Sequence, residues 1–115
     1  MSRFTVTIRV GSKVERDRFE SLEPALTKVA EDVRGLEHEA NARAVDLRIG
    51  RRFEPVQQVV ARVEVAGPRR LRGGVDVRGD GSSEAYVGRL RRRLLEQRDG
   101  ESACETLSRE LTGRA

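Results

Sequence analysis

Arginine is the residue type that gives this sequence most of its chemical capacity. Of the 23 basic residues only Lys13 and Lys28 are lysines, so the other 21 are arginines. A guanidinium group presents five N–H donors in a planar fork, which fits a phosphate with two bonds and stacks on flat rings. A GC-rich genome would produce the same bias through its codons, and composition alone favours that explanation.

The excess of positive charge is local. Residues 69–98 contain nine arginines and four acidic residues, whereas residues 1–68 are nearly balanced and residues 99–115 are acidic. Such a cluster attracts phosphates by Coulomb force and counterion release, although an outward charged face is often only solvated surface. The predicted RNA phosphate contacts are, first, Arg69, Arg70, Arg72, Arg89, Arg92 and Arg93 and, second, Arg51 and Arg52.

The other reactive residue types lack the partners that catalysis or metal binding would need. His38 is the only histidine and stands in a polar stretch, and the only cysteine, Cys104, has no histidine near it in the sequence. The glycines of residues 73–81 lack the Lys-Ser/Thr pair of a phosphate-binding loop. We therefore expect no catalytic residue, metal or cofactor, while an enzyme subunit or small-molecule binder with a composite pocket stays an alternative.

The strands that would carry these arginines are predicted from alternating apolar and polar residues. Phe4, Val6, Ile8 and Val10 alternate with polar residues and indicate a first strand. The same pattern indicates further strands over residues 45–49, 59–65 and roughly 71–77.

The helices are predicted from spacings of three and four. An apolar stripe from Phe19 to Val33 indicates a first helix, with Asp17 as a candidate cap and Gly35 as its end. Residues 84–97 indicate a second helix, from whose apolar face the arginines of residues 89–93 mostly point away. Ser102 and Glu105 fit the capping box of a short third helix.

These elements predict an α+β fold of order β-α-β-β-β-α, with a four-stranded sheet, two helices on one face and a short C-terminal helix. The first helix would form a right-handed parallel crossover, and the last three strands an antiparallel meander. Because each strand has one apolar face, one side of the sheet should be covered and the other open. Residues 1–98 would form a single domain and residues 99–115 a C-terminal helical extension.

The same order of elements is found in the short ribosome hibernation-promoting factors, and two stretches resemble that family. Residues 11–17 resemble its lead-in from first strand to first helix, with Asp17 replacing a capping threonine. Residues 77–86 are similar to its Gly-x-Asp-x-Tyr passage into the last helix, where Gly79, Glu84 and Tyr86 stand at the three named positions.

The resemblance implies a cytoplasmic, non-enzymatic stress factor that binds ribosomal RNA of the small subunit, in the channel used by mRNA and tRNA, and blocks translation. The main alternative is a protein-interaction or homodimer module of the same fold. In that case the open face with Thr5, Thr7 and Val60, or the terminal helix with Leu107 and Leu111, would meet the partner. We expect no membrane partner, because the sequence shows neither a signal-peptide pattern nor a long apolar run.

Overall fold

The protein is an α+β structure with a six-stranded antiparallel open sheet and two helices. A computed structural model describes residues 3–50 and 58–114, and the side chains of residues 3–42 and 58–114. The sheet order is β2-β1-β3-β4-β5-β6. In chain order the elements are β1 (Phe4–Val10), β2 (Lys13–Phe19), α1 (Leu22–Gly50), β3 (Val59–Ala66), β4 (Arg72–Arg78), β5 (Ser83–Val87), β6 (Arg93–Leu94) and α2 (Ala103–Arg114).

The α+β class is as predicted, but the count of four strands is wrong. One of the additional strands is β2, which forms a hairpin with β1. Gly11 has a φ of +60° and turns the chain, so that Val10 pairs with Lys13. A glycine followed by serine between two strands is a two-residue hairpin signal. Asp17 therefore lies in a strand and caps no helix, and residues 11–17 do not lead into a helix as the family resemblance implies.

Helix α1 is longer than predicted and replaces the expected strand over residues 45–49. Gly35 does not end it, because Leu36 and Ala40 extend the buried stripe of Val29 and Val33 by further helical steps. Val45 and Ile49 are also four residues apart, so the same letters satisfy the helical period. Consequently β3 returns antiparallel to β1, and the predicted parallel crossover is wrong.

The predicted helix over residues 84–97 is also wrong, because this segment forms strands β5 and β6. Gly88 has a φ of +112°, and a Cβ there would lie 2.5 Å from the carbonyl oxygen of Arg91. That glycine permits a tight reversal which a helix does not contain. Residues 77–86 thus join one strand to the next, again unlike the passage in the resembled family.

One face of the sheet is covered and the other is open, as predicted, but the second covering helix is α2 and not the predicted helix over residues 84–97. Val63, Val65, Val75 and Val77 point into the covered face, where they are fully buried. The predicted capping box is confirmed in α2, where the Ser102 and Glu105 side chains each accept a hydrogen bond from the other's backbone N–H.

The terminal helix completes the core instead of presenting an apolar face to a partner. Leu107 and Leu111 of α2 are both 0% exposed, which removes them from the surface that the interaction alternative requires. Thr5, Thr7 and Val60 are half-buried on the open face. Within the described residues, neither helix combines the length and apolar character needed to cross a membrane.

Candidate anion-binding site

Antiparallel pairing gathers arginines from distant parts of the chain at one end of the sheet. Thr5 pairs with Ala66, Ala66 with Arg72, and Gly73 with Val87. The start of β1, the β3–β4 turn and the β5–β6 turn therefore leave the sheet on the same side. We call this surface the arginine-rich end; it comprises Arg3, Arg69, Arg70, Arg72, Arg89, Arg91, Arg92, Arg93 and Arg114.

The β3–β4 turn holds two neighbouring arginines in an unfavourable backbone conformation. Arg69 and Arg70 have φ values of +60° and +61°, and the N–H of Leu71 donates to the carbonyl oxygen of Pro68 at 3.2 Å. Two central residues with positive φ define a type I′ turn, which prefers Asn and Gly. The left-handed conformation costs a residue with a Cβ about 1–2 kcal/mol. Both side chains are exposed, and neither guanidinium pairs with another described residue.

The β5–β6 turn projects the second arginine cluster into solvent. Arg89 and Arg91 are exposed on either side of Leu90, whose side chain is 93% exposed. Arg93 follows in β6, with its Nη2 at 3.7 Å from Glu110. These arginines lie on a hairpin and not on the predicted helix, yet their charges remain accessible at the arginine-rich end.

Arg92 has a different role, because it covers the only tyrosine. Its Cζ lies 5.1 Å from the centroid of the Tyr86 ring, and Arg62 lies at 5.3 Å. Tyr86 is on the open face, opposite Gly74, and a Cβ on Gly74 would be 2.7 Å from the phenol oxygen. The ring therefore crosses the glycine and donates a 2.6 Å hydrogen bond to Glu64. Tyr86 is 1% exposed, so it is not a platform for stacking bases.

The centre of the open face is electrically satisfied. Arg62 makes two bonds to Asp76, at 2.5 and 3.1 Å, and Arg78 pairs with Glu84. Arg72 lies 3.3 Å from Glu64, the carboxylate that also accepts the hydrogen bond from the Tyr86 hydroxyl. Two effects raise the pKa of Tyr86 far above its usual value: burial is the larger, and the hydrogen bond to the negatively charged Glu64 is the second. The phenol therefore stays neutral. This network stabilises the sheet, whereas six of the nine arginines at the arginine-rich end have no carboxylate partner among the described residues.

A cavity of about 280 Å³ opens within the arginine-rich end. It lies between the start of β1, the β3–β4 turn, the end of β5 and the last turn of α2. Its lining consists of five arginines, three apolar residues and a glycine: Arg3, Arg69, Arg70, Arg72, Arg114, Phe4, Pro68, Leu71 and Gly88. Because five of its nine lining residues are arginines and none is Asp or Glu, the cavity is suited to an anion.

Three of the eight predicted contact residues meet at this cavity. Arg69, Arg70 and Arg72 line it, while Arg89, Arg92 and Arg93 belong to the neighbouring hairpin. Arg51 and Arg52 lie outside the described residues. Sequence reasoning missed Arg3 and Arg114, because antiparallel pairing of β1 with β3 and the docking of α2 bring them to the turn. A strand beginning directly after Arg3 was the only local signal for either.

The reactive side chains set aside earlier are not assembled into a site. Cys104 is half-buried, and burial raises the pKa of its thiol to about 11, which keeps it protonated at neutral pH. Within residues 3–50 and 58–114, no group of three or more His, Cys, Asp or Glu side chains is arranged to hold a metal ion.

Comparisons with profiles of known protein families, with curated proteins and with solved structures find no match to this chain.

Proposed function

We propose that this protein is a non-enzymatic RNA-binding factor that contacts phosphates through its arginine-rich end. The observation that carries the proposal is the accumulation of nine arginines at one end of a rigid sheet. Only Arg72, Arg93 and Arg114 of this set have carboxylate partners among the described residues, at distances of 3.1–3.7 Å from Glu64 or Glu110. The remaining guanidinium groups can exchange water and counterions for phosphate oxygens.

The arrangement favours recognition of the RNA backbone over recognition of bases. Base stacking needs an exposed aromatic ring, and Tyr86 is covered by Arg62 and Arg92. Five of the nine arginines instead stand on two adjacent turns between hydrogen-bonded strands, so the sheet sets the spacing of their backbone positions. Structured RNA presents phosphates in a fixed geometry that such a surface can match. We propose that the specific target is ribosomal RNA of the small subunit and that binding inhibits translation.

The proposal predicts that charge at this end matters more than net charge. Changing Arg69, Arg89 and Arg91 together to Gln removes three guanidinium groups that have no ion pair with another described residue. The matched control changes Arg9, Arg16 and Arg34 to Gln, which lowers the net charge equally at exposed positions elsewhere. Fluorescence anisotropy with an RNA hairpin, at salt concentrations from about 50 to 200 mM, compares the two.

We expect the first variant to bind more weakly and with a shallower salt dependence. Each lost phosphate contact reduces the slope of log K against log salt by about 0.9 on a duplex, so the slope should fall by up to roughly three. The control should stay within about twofold of the parent. Equal losses in both variants would mean that only overall charge attracts RNA, which would refute the proposed site.

Cosedimentation with purified small ribosomal subunits at physiological salt tests the specific target. The parent and the control variant should pellet with the subunits, and the variant at Arg69, Arg89 and Arg91 should stay in the supernatant. Failure of the parent to cosediment, despite binding the hairpin, would exclude the ribosome and leave general RNA binding.

A further inference from the structure

The cavity beside the β3–β4 turn has the charge of a site for a compact, multiply charged anion. Arg3, Arg69 and Arg70 have no carboxylate partner among the described residues, whereas Arg72 and Arg114 each share one. Guanidinium groups stay charged throughout the physiological pH range. An ion of charge −2, such as a terminal phosphate, would therefore enter an excess of about three positive charges.

The same cavity has an apolar wall, which a bare phosphate would not use. Phe4, Pro68 and Leu71 form this wall, and the Phe4 ring is fixed by close packing on Gly67. A Cβ at Gly67 would lie 2.5 Å from Cδ1 of Phe4, so only glycine permits this approach. Charged donors beside a rigid apolar surface suit a ligand with both a phosphate and a flat, weakly polar body.

The size of the cavity limits the ligand to a single unit of a polymer. At about 280 Å³ it is close to the lower end of small-molecule sites, which start near 300 Å³. The walls come from four separate parts of the chain, near Arg3, near Arg70, at Gly88 and near Arg114. A polymer could place only its end in this space.

The strained turn fixes the backbone from which the Arg69 and Arg70 side chains extend. Arg69 and Arg70 occupy left-handed backbone positions for which Asn and Gly are the favoured residues. Such strain persists where the surroundings impose it, and it is concentrated at functional sites. Here two hydrogen bonds impose it: the N–H of Gly67 donates to the carbonyl oxygen of Leu71, and the N–H of Leu71 donates to that of Pro68. They keep both arginines at the cavity.

We propose that this cavity binds a terminal phosphate together with its nucleoside, either as a free nucleotide or as the 5′ end of an RNA chain. The phosphate would accept hydrogen bonds from Arg3, Arg69, Arg70 and Arg114, and the nucleoside would lie against the half-buried Pro68 and Leu71. The RNA form rests on the proposed function, whereas the free nucleotide form does not.

Isothermal titration calorimetry with a nucleoside 5′-monophosphate, the matching nucleoside and inorganic phosphate tests the cavity itself. We expect the nucleotide to bind more tightly than either fragment. Changing Arg3 and Arg114 to Gln should weaken nucleotide binding by at least about tenfold, since one charge-assisted hydrogen bond corresponds to that factor or more. The control variant, with Arg89 and Arg91 changed to Gln outside the cavity, should change it less than about twofold.

Two oligoribonucleotides that differ only in a 5′-phosphate or a 5′-hydroxyl separate the two sources of the ligand. Tighter binding of the phosphorylated one, lost in the variant at Arg3 and Arg114, supports capture of an RNA end. Binding of the nucleotide without binding of either oligonucleotide supports the cavity and overturns the proposed RNA function. Equal binding of both oligonucleotides, with no binding of the nucleotide, overturns the cavity proposal and leaves RNA binding intact.

A single substitution, Arg69→Gln, guards against a double variant that fails to fold. It should give at least about a tenfold loss of nucleotide affinity while the far-ultraviolet circular dichroism stays that of the parent. A folded Arg69→Gln protein with parental nucleotide affinity would overturn the proposal.

Discussion

Replacing Arg69 by Asn and Arg70 by Gly should raise the free energy of unfolding and, at the same time, weaken phosphate binding. Both residues have φ near +60°, and the turn they form is the type in which Asn-Gly is preferred. The substitutions keep the turn and its hydrogen bonds while removing the cost of the left-handed conformation. Stability and binding are thus expected to move in opposite directions, which general damage to the fold does not produce.

The gain in stability can be estimated from the two backbone positions. The left-handed conformation costs about 1–2 kcal/mol per residue, or roughly 2–4 kcal/mol for both. Glycine at position 70 lowers this gain by about 0.5–1 kcal/mol, because it makes the unfolded chain more flexible. Asparagine at position 69 still bears part of the cost of the left-handed conformation, because it has a Cβ. We therefore expect a net gain of about 1–2 kcal/mol, which for a domain of this size raises the Tm by roughly 4–10 °C.

Thermal and urea denaturation followed by circular dichroism measure the gain, and RNA anisotropy measures the loss of binding. The matched control changes Arg89 to Asn and Arg91 to Gly in the neighbouring turn, where neither residue has a positive φ. The control removes the same charge without relieving strain, so its Tm should be unchanged or lower. A Tm that falls in the variant at Arg69 and Arg70 as much as in the control would refute the argument from backbone strain.

Four further predictions concern the open face, α2 and the core. Tyr86→Phe loses the hydrogen bond to the neighbouring glutamate and should lower the free energy of unfolding by about 1–2 kcal/mol in urea titrations; an unchanged midpoint would contradict this. Because burial raises the pKa of Tyr86, which is the only tyrosine, the phenol binds its proton more tightly in the folded state. Stability should therefore fall as pH rises above about 10, and phenolate absorbance near 295 nm should appear only on unfolding. The Arg109 guanidinium holds the pKa of Glu101 well below its usual 4.5, so the contribution of this carboxylate is complete above pH 4.5 and lost as pH falls. Glu101→Gln should consequently lower the Tm at pH 7 and have a shrinking effect in more acidic buffers; a constant difference would count against the pairing. Leu107→Ala should cost about 2–5 kcal/mol, because that side chain is 0% exposed, whereas Leu90→Ala at 93% exposure should stay within about 0.5 kcal/mol, and similar costs would contradict the assigned core.

The strands that could be predicted are those whose side chains face two different environments. In β1, β3 and β4 apolar and polar residues alternate, because one side of each strand faces the helices and the other faces water. β2 lies at the edge of the sheet and has six consecutive exposed residues, so it has no apolar face to read. Its charged residues suit the edge of a sheet, and Gly11 in the preceding turn is the only local signal that predicts it.

The segments that were wrongly predicted have apolar residues whose spacing fits both a helix and a strand. Val87, Leu90 and Leu94 fit a helical stripe at spacings of three and four, yet the structure places Val87 in the core and exposes the two leucines. The preference of Gly88 for a reversal, together with pairing of β5 on β4, outweighs local helical propensity there. A similar competition decides residues 45–49 in favour of the helix.

The sequence by itself determined that arginines are concentrated in residues 69–93, that β1, β3 and β4 exist, and that Ser102 begins a helix, because each of these depends on neighbours along the chain. Only the tertiary structure decided which arginines share a surface. Arg3 and Arg114 are separated by nearly the whole sequence, yet antiparallel pairing and the docking of α2 place both beside the β3–β4 turn. The carboxylates that neutralise Arg62, Arg72 and Arg78 are likewise chosen by strand register, a long-range property that no local pattern encodes.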